Sequence, residues 1–397
     1  TLTLTLTLTL TLTLTLTLTL TLTHFPCLSS PTPPSRSLPF THPTSVVAGL
    51  PLQAKALLQW KASLHNFALS SWVGNDPCHN WTGISCDLHR RILTLNLTNT
   101  GLSGTLSNFN FTFFSRLLVL DLSVNSLTGS MPMFITALNN LNVLYLYMNR
   151  LSSSIPPEIG MLKSLNQLDL SSNNLTESIP TSIGNLTNLT VLYLSENNLT
   201  GSIPTSIGNM TDLTILYLHT NHLSGSIPPE IGMLKSLNDL EMGINNLTGH
   251  IPASICDLSN LTTLDIHKNR LRGPIPSNIG MLRSLQELML SKNNLTGSIP
   301  TSIGNMTNLT ILNFCSNQLS GSIPYEIGML KSLNDLEMGI NNLTGHIPAS
   351  ICDLSNLTTL DIHKNRLRGP IPSNIGMLRS LQELMLSKNS LTGSIPT

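Results

Sequence analysis

The sequence predicts an α/β solenoid in which short strands of successive coils stack into one long parallel sheet behind an N-terminal cap. Three observations carry this. Asparagine recurs at Asn125, Asn149, Asn173, Asn197, Asn221, Asn245, Asn269, Asn293, Asn317, Asn341, Asn365 and Asn389, each 24 residues after the last. Leucine or a close substitute stands five and three residues before each, as Leu192 and Leu194 do for Asn197, and leucine follows two residues after, as Leu199 does. Residues 50–91 break this pattern and carry helical apolar spacing instead. A fixed period of this length marks stacked units, because one coil cannot bury its own leucines.

Within a coil, the two leucines before the asparagine alternate at period two, so they face one way from a short strand and the residues around them face the other. Stacked strands then lie about 4.8 Å apart. The asparagine ends the strand, and its amide offers one acceptor and two donors to buried backbone groups. Losing such a partner costs about 1–3 kcal/mol. Ile-Pro, as in Ile203-Pro204, fixes an extended segment. The glycine of the following Ile-Gly step, Gly208 in this coil, is expected to permit a tight turn toward the convex side.

The L-x-L-x-x-N core followed by L-x-G-x-I-P-x-x-I-G-x-L resembles the plant-type leucine-rich repeat. The resemblance implies a right-handed superhelix with a parallel concave sheet and a second small sheet beside Gly-x-Ile-Pro. It also implies an ectodomain of a receptor kinase or receptor-like protein at the cell surface. Ser153 and Glu177 depart from the pattern at the first glycine, and Cys256 and Cys352 at the second.

Taken in order, residues 1–49 open with alternating Thr and Leu to residue 23 and continue rich in Pro and Ser. They read as a low-complexity, disordered leader and as a missing or mis-assembled start, against the alternative of a natural leader. In residues 50–91, Leu57, Leu58, Trp60, Leu64 and Leu69 fall at roughly helical spacing. With Lys61, Ser71-Trp72 and the run Cys78, Trp81, Gly83, Ile84 and Cys86, they resemble the N-terminal cap of plant leucine-rich-repeat receptors. That resemblance implies a Cys78–Cys86 disulfide, which would contribute about 2.5 kcal/mol for so short a loop. A zinc site with His79 and His89 is the competing reading, short of the usual four ligands. Residues 92–397 hold about 13 repeats, the last truncated. The first has Thr100 in place of the asparagine. Residues 223–301 and 319–397 match at an offset of 96 except at Pro229/Tyr325 and Asn294/Ser390, an internal duplication of four repeats. The array is expected to be a fragment, with any membrane span lying in a segment absent from this chain.

The 20 basic and 20 acidic residues leave no net field for nucleic acid. No phosphate-binding loop, nucleophile elbow or zinc-protease motif is present, so no catalysis, cofactor or metal is expected. Cys315 is expected on the concave face, and Cys256 and Cys352 as small apolar fillers. Sequons at Asn80, Asn110, Asn174, Asn185, Asn188, Asn198, Asn209, Asn246, Asn260, Asn294, Asn305, Asn308, Asn342 and Asn356 are expected to carry glycans in a secreted chain, with Asn96 on the concave face left bare.

The outward positions lie six, four and two residues before each asparagine. They hold Tyr145, Tyr147, Tyr193 and Tyr217, four of the chain's five tyrosines, with His219 beside them. Tyrosine gives large contact area at low entropic cost, although it also suits any strand surface. An extended peptide across these residues is the expected ligand, with Asp239, Glu241 and Asp265 favouring a basic segment. No coil carries the family's Arg-x-Arg device for a peptide carboxylate at its last two outward positions, which disfavours a ligand with a buried C-terminal carboxylate. The reading is a receptor ectodomain in signalling or defence, at the cell surface or secreted, with a peptide or protein ligand and a leucine-rich-repeat co-receptor as its partners. A secreted inhibitor of cell-wall-degrading enzymes and a non-functional gene fragment remain alternatives.

Overall fold

The computed structural model describes residues 50–65 and 69–396. The Thr-Leu run, the Pro-Ser segment and Cys27 lie outside the described residues.

The cap begins with a helix, Leu50–Ala62, which buries Leu57 and Trp60. Helical spacing predicted further turns through Leu64 and Leu69, but the helix stops earlier. The Ser63 and Leu64 amides bond back to Trp60 and Lys61 in tight turns, and the His65 amide donates to the Ser103 carbonyl at 2.7 Å. Pairing with the first coil outweighs one more helical turn. Trp72 stacks on Trp81 with centroids 5.1 Å apart, and Trp60 meets Phe109 edge-on at 5.0 Å. Each indole N–H reaches a carbonyl, as buried tryptophan requires. Cys78 and Cys86 are joined, with Cα atoms 5.7 Å apart. Neither thiol is therefore left to bind zinc.

Among the described residues, a 14-stranded sheet runs the length of the array. Its first strand, Ile84–Cys86, pairs antiparallel with Ile92–Asn96, and from there every pairing is parallel and in register. Each strand is short, as in Val191–Tyr193, and its central leucine is fully buried. The second sheet is discontinuous. Four strands from Ser103–Thr105 to Asn174–Leu175 form one piece, isolated bridges such as Ser202↔Ser224 follow, and two-stranded pieces come later.

The asparagines form the expected ladder. Asn221 Oδ1 accepts from the Leu199 amide at 3.0 Å, and its Nδ2 donates to Leu194 O at 2.9 Å and Leu218 O at 3.2 Å. Every donor and acceptor of the amide is thus used on buried backbone. The residue just before each asparagine adopts a left-handed conformation, including Val124, Ile244 and Ile340 at φ 54°, 55° and 56°. β-branched residues there cost about 1–2 kcal/mol each. The ladder bonds formed immediately afterwards hold them in place.

The Ile-Gly glycine does not serve the turn expected of it. Gly184 lies inside the 3-10 turn Thr181–Asn185 and has no left-handed φ. A Cβ there would meet Ser206 O of the next coil at 2.1 Å. Close approach of neighbouring coils is what demands glycine. Where Cys256 and Cys352 replace it, both are buried as expected, and the next 3-10 turn shrinks to Ile279–Met281 or Ile375–Met377. Thr136 stands at the same position in an earlier coil, and the turn after it, Pro157–Met161, keeps its full length, so a side chain here is accommodated without loss of the next turn.

Candidate ligand-binding face

The side of the sheet away from the leucines is lined by the outward residues. In-register pairing stacks them into columns one strand apart. One column runs Tyr145, Asp169, Tyr193, Tyr217, Glu241, Asp265. Tyr193 and Tyr217 are therefore strand neighbours, with ring centroids 4.9 Å apart, and His219 follows Tyr217 at 5.9 Å. Tyr145 and Tyr147 make a separate edge-on pair at 6.1 Å, with Asp169 between them and Tyr193 in the stack. All four tyrosines are half-buried.

Polar contacts fix the rings. Tyr217 Oη donates to Asp239 Oδ2 at 2.6 Å, and Tyr145 Oη donates to Gln167 Oε1. His219 Nε2 lies 3.5 Å from Glu241 Oε2. Burial pushes the Tyr217 hydroxyl far above the usual phenol range, and its bond to Asp239 adds to this. The ring stays neutral and acts as a donor. Burial also raises Glu241, to about 7, with Asp239, Asp265 and Glu287 adding repulsion.

Asp265 takes a different place from the one sequence reasoning gave it. It is 7% exposed, and its Oδ1 accepts from the His267 backbone amide at 2.9 Å and lies 2.7 Å from His267 Nδ1. It holds the imidazole from beneath, so the surface it presents is His267. Gly243 makes room for that ring, because a Cβ there would sit 2.5 Å from His267 Nδ1. The position two residues before the asparagine is also less open than expected. Ser123 and Ser195 are buried there, since the strand has already ended.

Further acidic residues on this face escaped the first reading. Asp239 pairs through Thr263 with Glu287, and the duplicated block repeats this as Asp335, Thr359 and Glu383, with Glu337 answering Glu241. Extending the outward rule beyond Asn269 through the 96-residue duplication would have found them. Cys315 is half-buried, with its Sγ 3.6 Å from Asp361 Oδ2. Burial pushes its thiol well up, so the nucleophilic thiolate is suppressed.

The sequon asparagines lie elsewhere on the coils. Those named above are exposed except Asn246 and Asn342, which are half-buried. Asn188, Asn260, Asn308 and Asn356 each donate through Nδ2 to a carbonyl of the preceding coil, at 2.9 to 3.1 Å. Asn96 is exposed on the concave face, and its Oδ1 accepts from the Thr98 amide.

The geometry defines a class: a parallel solenoid of 24-residue coils carrying an asparagine ladder and a disulfide-bonded cap. The profile described as "Leucine-rich repeat region" matches residues 97–247 and 215–320, together more than half of the chain, so the chain belongs to the leucine-rich repeat family. "Leucine rich repeat N-terminal domain" matches 50–87, and "Leucine Rich Repeat" matches 356–378 and 380–397. A probable leucine-rich repeat receptor-like protein kinase of Arabidopsis thaliana is 46% identical over 87 residues, which is 20% of this chain and 8% of that protein. The solved PEPR1–AtPEP1 structure is similar with a TM-score of 0.78 at 36% identity, over 87% of this chain and 53% of that one. The plant peptide hormone receptor RGFR1 in complex with RGF2 gives 0.70 at 40%, over 72% of this chain and 46% of that one. The chain thus spans about half the length of the solved receptors it matches.

Proposed function

We propose that this chain is the ligand-recognition array of a plant cell-surface receptor and that it binds an extended peptide across its concave sheet. The observation that carries this is the Tyr193–Tyr217–His219 cluster. Three half-buried aromatic rings stand side by side on the sheet, with Tyr217 held by Asp239 and His219 by Glu241. Preformed aromatic surfaces of this kind supply binding hot spots. Similarity to two receptor structures whose names carry a peptide partner supports the same reading.

The work is recognition rather than catalysis. Signalling or defence output, attachment to the plasma membrane and pairing with a leucine-rich-repeat co-receptor belong to the whole receptor. The cap disulfide suits an oxidising compartment, and the exposed sequons suit glycosylation there.

The test is a peptide selected from a random library against the purified chain, followed by Tyr193→Ala and Tyr217→Ala. Each change is expected to weaken binding by about 1–3 kcal/mol. Selected peptides that bind both variants as tightly as the parent would move the site to the convex or lateral face.

A further inference from the structure

The outward columns hold ten carboxylates, half of the chain's 20, and neither a lysine nor an arginine. All eight of those beyond Tyr217 fall into two stations that repeat across the four-coil duplication. The first is Asp239, Glu241 and Glu287, with the His267–Asp265 pair among them. The second is Asp335, Glu337 and Glu383, with the His363–Asp361 pair. In each, the histidine Nδ1 lies against its aspartate, at 2.7 and 2.5 Å, above a glycine that leaves it room.

Both stations are unfinished in the same way. Asp239 Oδ1 and Asp335 Oδ1 are each buried without a hydrogen-bond partner. An unpartnered buried carboxylate oxygen costs free energy, which adds to the repulsion among these carboxylates that a basic group on the face would relieve. Burial raises Asp239, Glu241, Glu287, Asp335 and Glu337, and crowding by neighbouring carboxylates adds to it. Side-chain hydrogen bonds from Tyr217 to Asp239, and from Cys315 and Asn313 to Glu337, offset part of that rise. None of these carboxylates has a lysine or arginine counter-ion on the face.

We propose that the two stations each receive one basic group of a single extended peptide, so that the ligand carries two basic clusters spaced to match the duplication. This rests on the reading of the concave sheet as the peptide face. Equivalent residues of the stations are four strands apart, about 19 Å at the usual strand spacing. An extended peptide rises about 3.3 Å per residue, so the two basic clusters stand about six residues apart. Joining them in one chain turns the second contact into an intramolecular step, which multiplies the affinity.

Synthetic fluorescent peptides test this against the full chain by anisotropy at pH 7.5 and fixed salt. One probe carries a single Arg-Arg pair. The others carry two pairs joined by Gly-Ser spacers that set their centres about three, six or ten residues apart. The six-residue probe is expected to bind at least tenfold more tightly than the single-pair and three-residue probes. Glu241→Gln with Glu287→Gln, or Glu337→Gln with Glu383→Gln, should each cut its affinity to that of the single-pair probe. These carboxylates are half-buried or exposed, so the amides fold, which a circular dichroism melt confirms. Affinity that follows total charge without regard to spacing overturns the proposal, as does an unchanged six-residue probe in either double variant. The Tyr193→Ala and Tyr217→Ala test is scored separately on library peptides. Loss of the tyrosine effect refutes the peptide face itself, whereas loss of the spacing effect alone refutes only the paired stations.

Discussion

Gly184→Ala isolates the physical reason for the glycine of the Ile-Gly step. The added Cβ would lie 2.1 Å from Ser206 O and 2.6 Å from that residue's carbonyl carbon and Cβ. Two of these atoms are backbone, so no rotamer change relieves the clash. The coils must part by about 1 Å, and the bond from Ser206 Oγ to Thr181 O at 2.6 Å stretches with them. Overpacking of this kind costs about 1–3 kcal/mol. The strained hydrogen bond adds about 1 kcal/mol. Lower chain entropy in the unfolded state returns about 0.4–1 kcal/mol. The net expectation is a loss of about 2–3 kcal/mol. Thr136, Cys256 and Cys352 show that the array tolerates a side chain at this position, so the loss should stop short of unfolding. Gly201 is the control from the following segment. Its φ is +71°, and its Cβ would lie 3.0 Å from the Ser178 Cβ and 3.8 Å from that residue's Cα, with no carbonyl in the way. Gly201→Asn is therefore expected to retain most of the stability, because asparagine accepts the left-handed region. Gly184→Asn is not. Urea unfolding with hydrogen exchange across residues 181–210 measures both. Gly184→Ala within 0.5 kcal/mol of the parent would refute the close-approach argument and restore the turn as the reason for glycine.

Three further outcomes follow from the same structure. Asn221→Leu leaves the Leu199 amide without a partner in a dry core and the Leu194 carbonyl with only its bond from Asn197, and should cost about 2–3 kcal/mol in urea unfolding; a cost under 1 kcal/mol would mean that the ladder is ornamental. Glu177 occupies a left-handed position, φ 63°, where most other coils place glycine, so Glu177→Gly should stabilise by about 1 kcal/mol, and any loss would show that its side chain contributes there. Glu241 is pushed up to about 7 in the folded chain, above its ordinary 4.5. The folded state therefore holds that proton more tightly, and the destabilisation is absent below pH 4.5, grows as pH rises, and is complete above pH 7. Glu241→Gln should accordingly match the parent in thermal melts at pH 4 and exceed it at pH 8, and a difference independent of pH would contradict the burial of this carboxylate.

Period and phase made the fold legible because each coil position has one environment throughout the array. The leucines around Asn197 are buried where the pattern required, and so are the Ile-Pro isoleucines from Ile155 through Ile347. What periodicity could not reveal were contacts between positions in different coils. The role of Gly184 depends on Ser206, 22 residues later, and nothing in the sequence near Gly184 separates a turn from a close approach. The left-handed residue before every asparagine was equally hidden, since Val124, Ile244 and Ile340 are residue types that avoid that conformation. Asp265 was read as an open ligand contact because its column faces outward. Its neighbour His267, two residues on, takes the carboxylate instead.

Whole-chain composition hides the polarity of the concave face in a more general way. Equal numbers of acidic and basic residues imply a surface without a preferred partner charge, and that inference holds where residues mix over a globular surface. In a solenoid, every sequence position modulo 24 maps to one column of one face. Charge must therefore be summed by column. Summed so, the outward columns carry ten carboxylates and no lysine or arginine, while lysines such as Lys163 and Lys235 stand exposed beside the 3-10 turns, outside those columns. Duplication then acts on a polarised object. Copying four coils copies a charged station and fixes its distance from the original at a whole number of strand spacings. A ligand that reads both stations is selected by that distance as well as by charge.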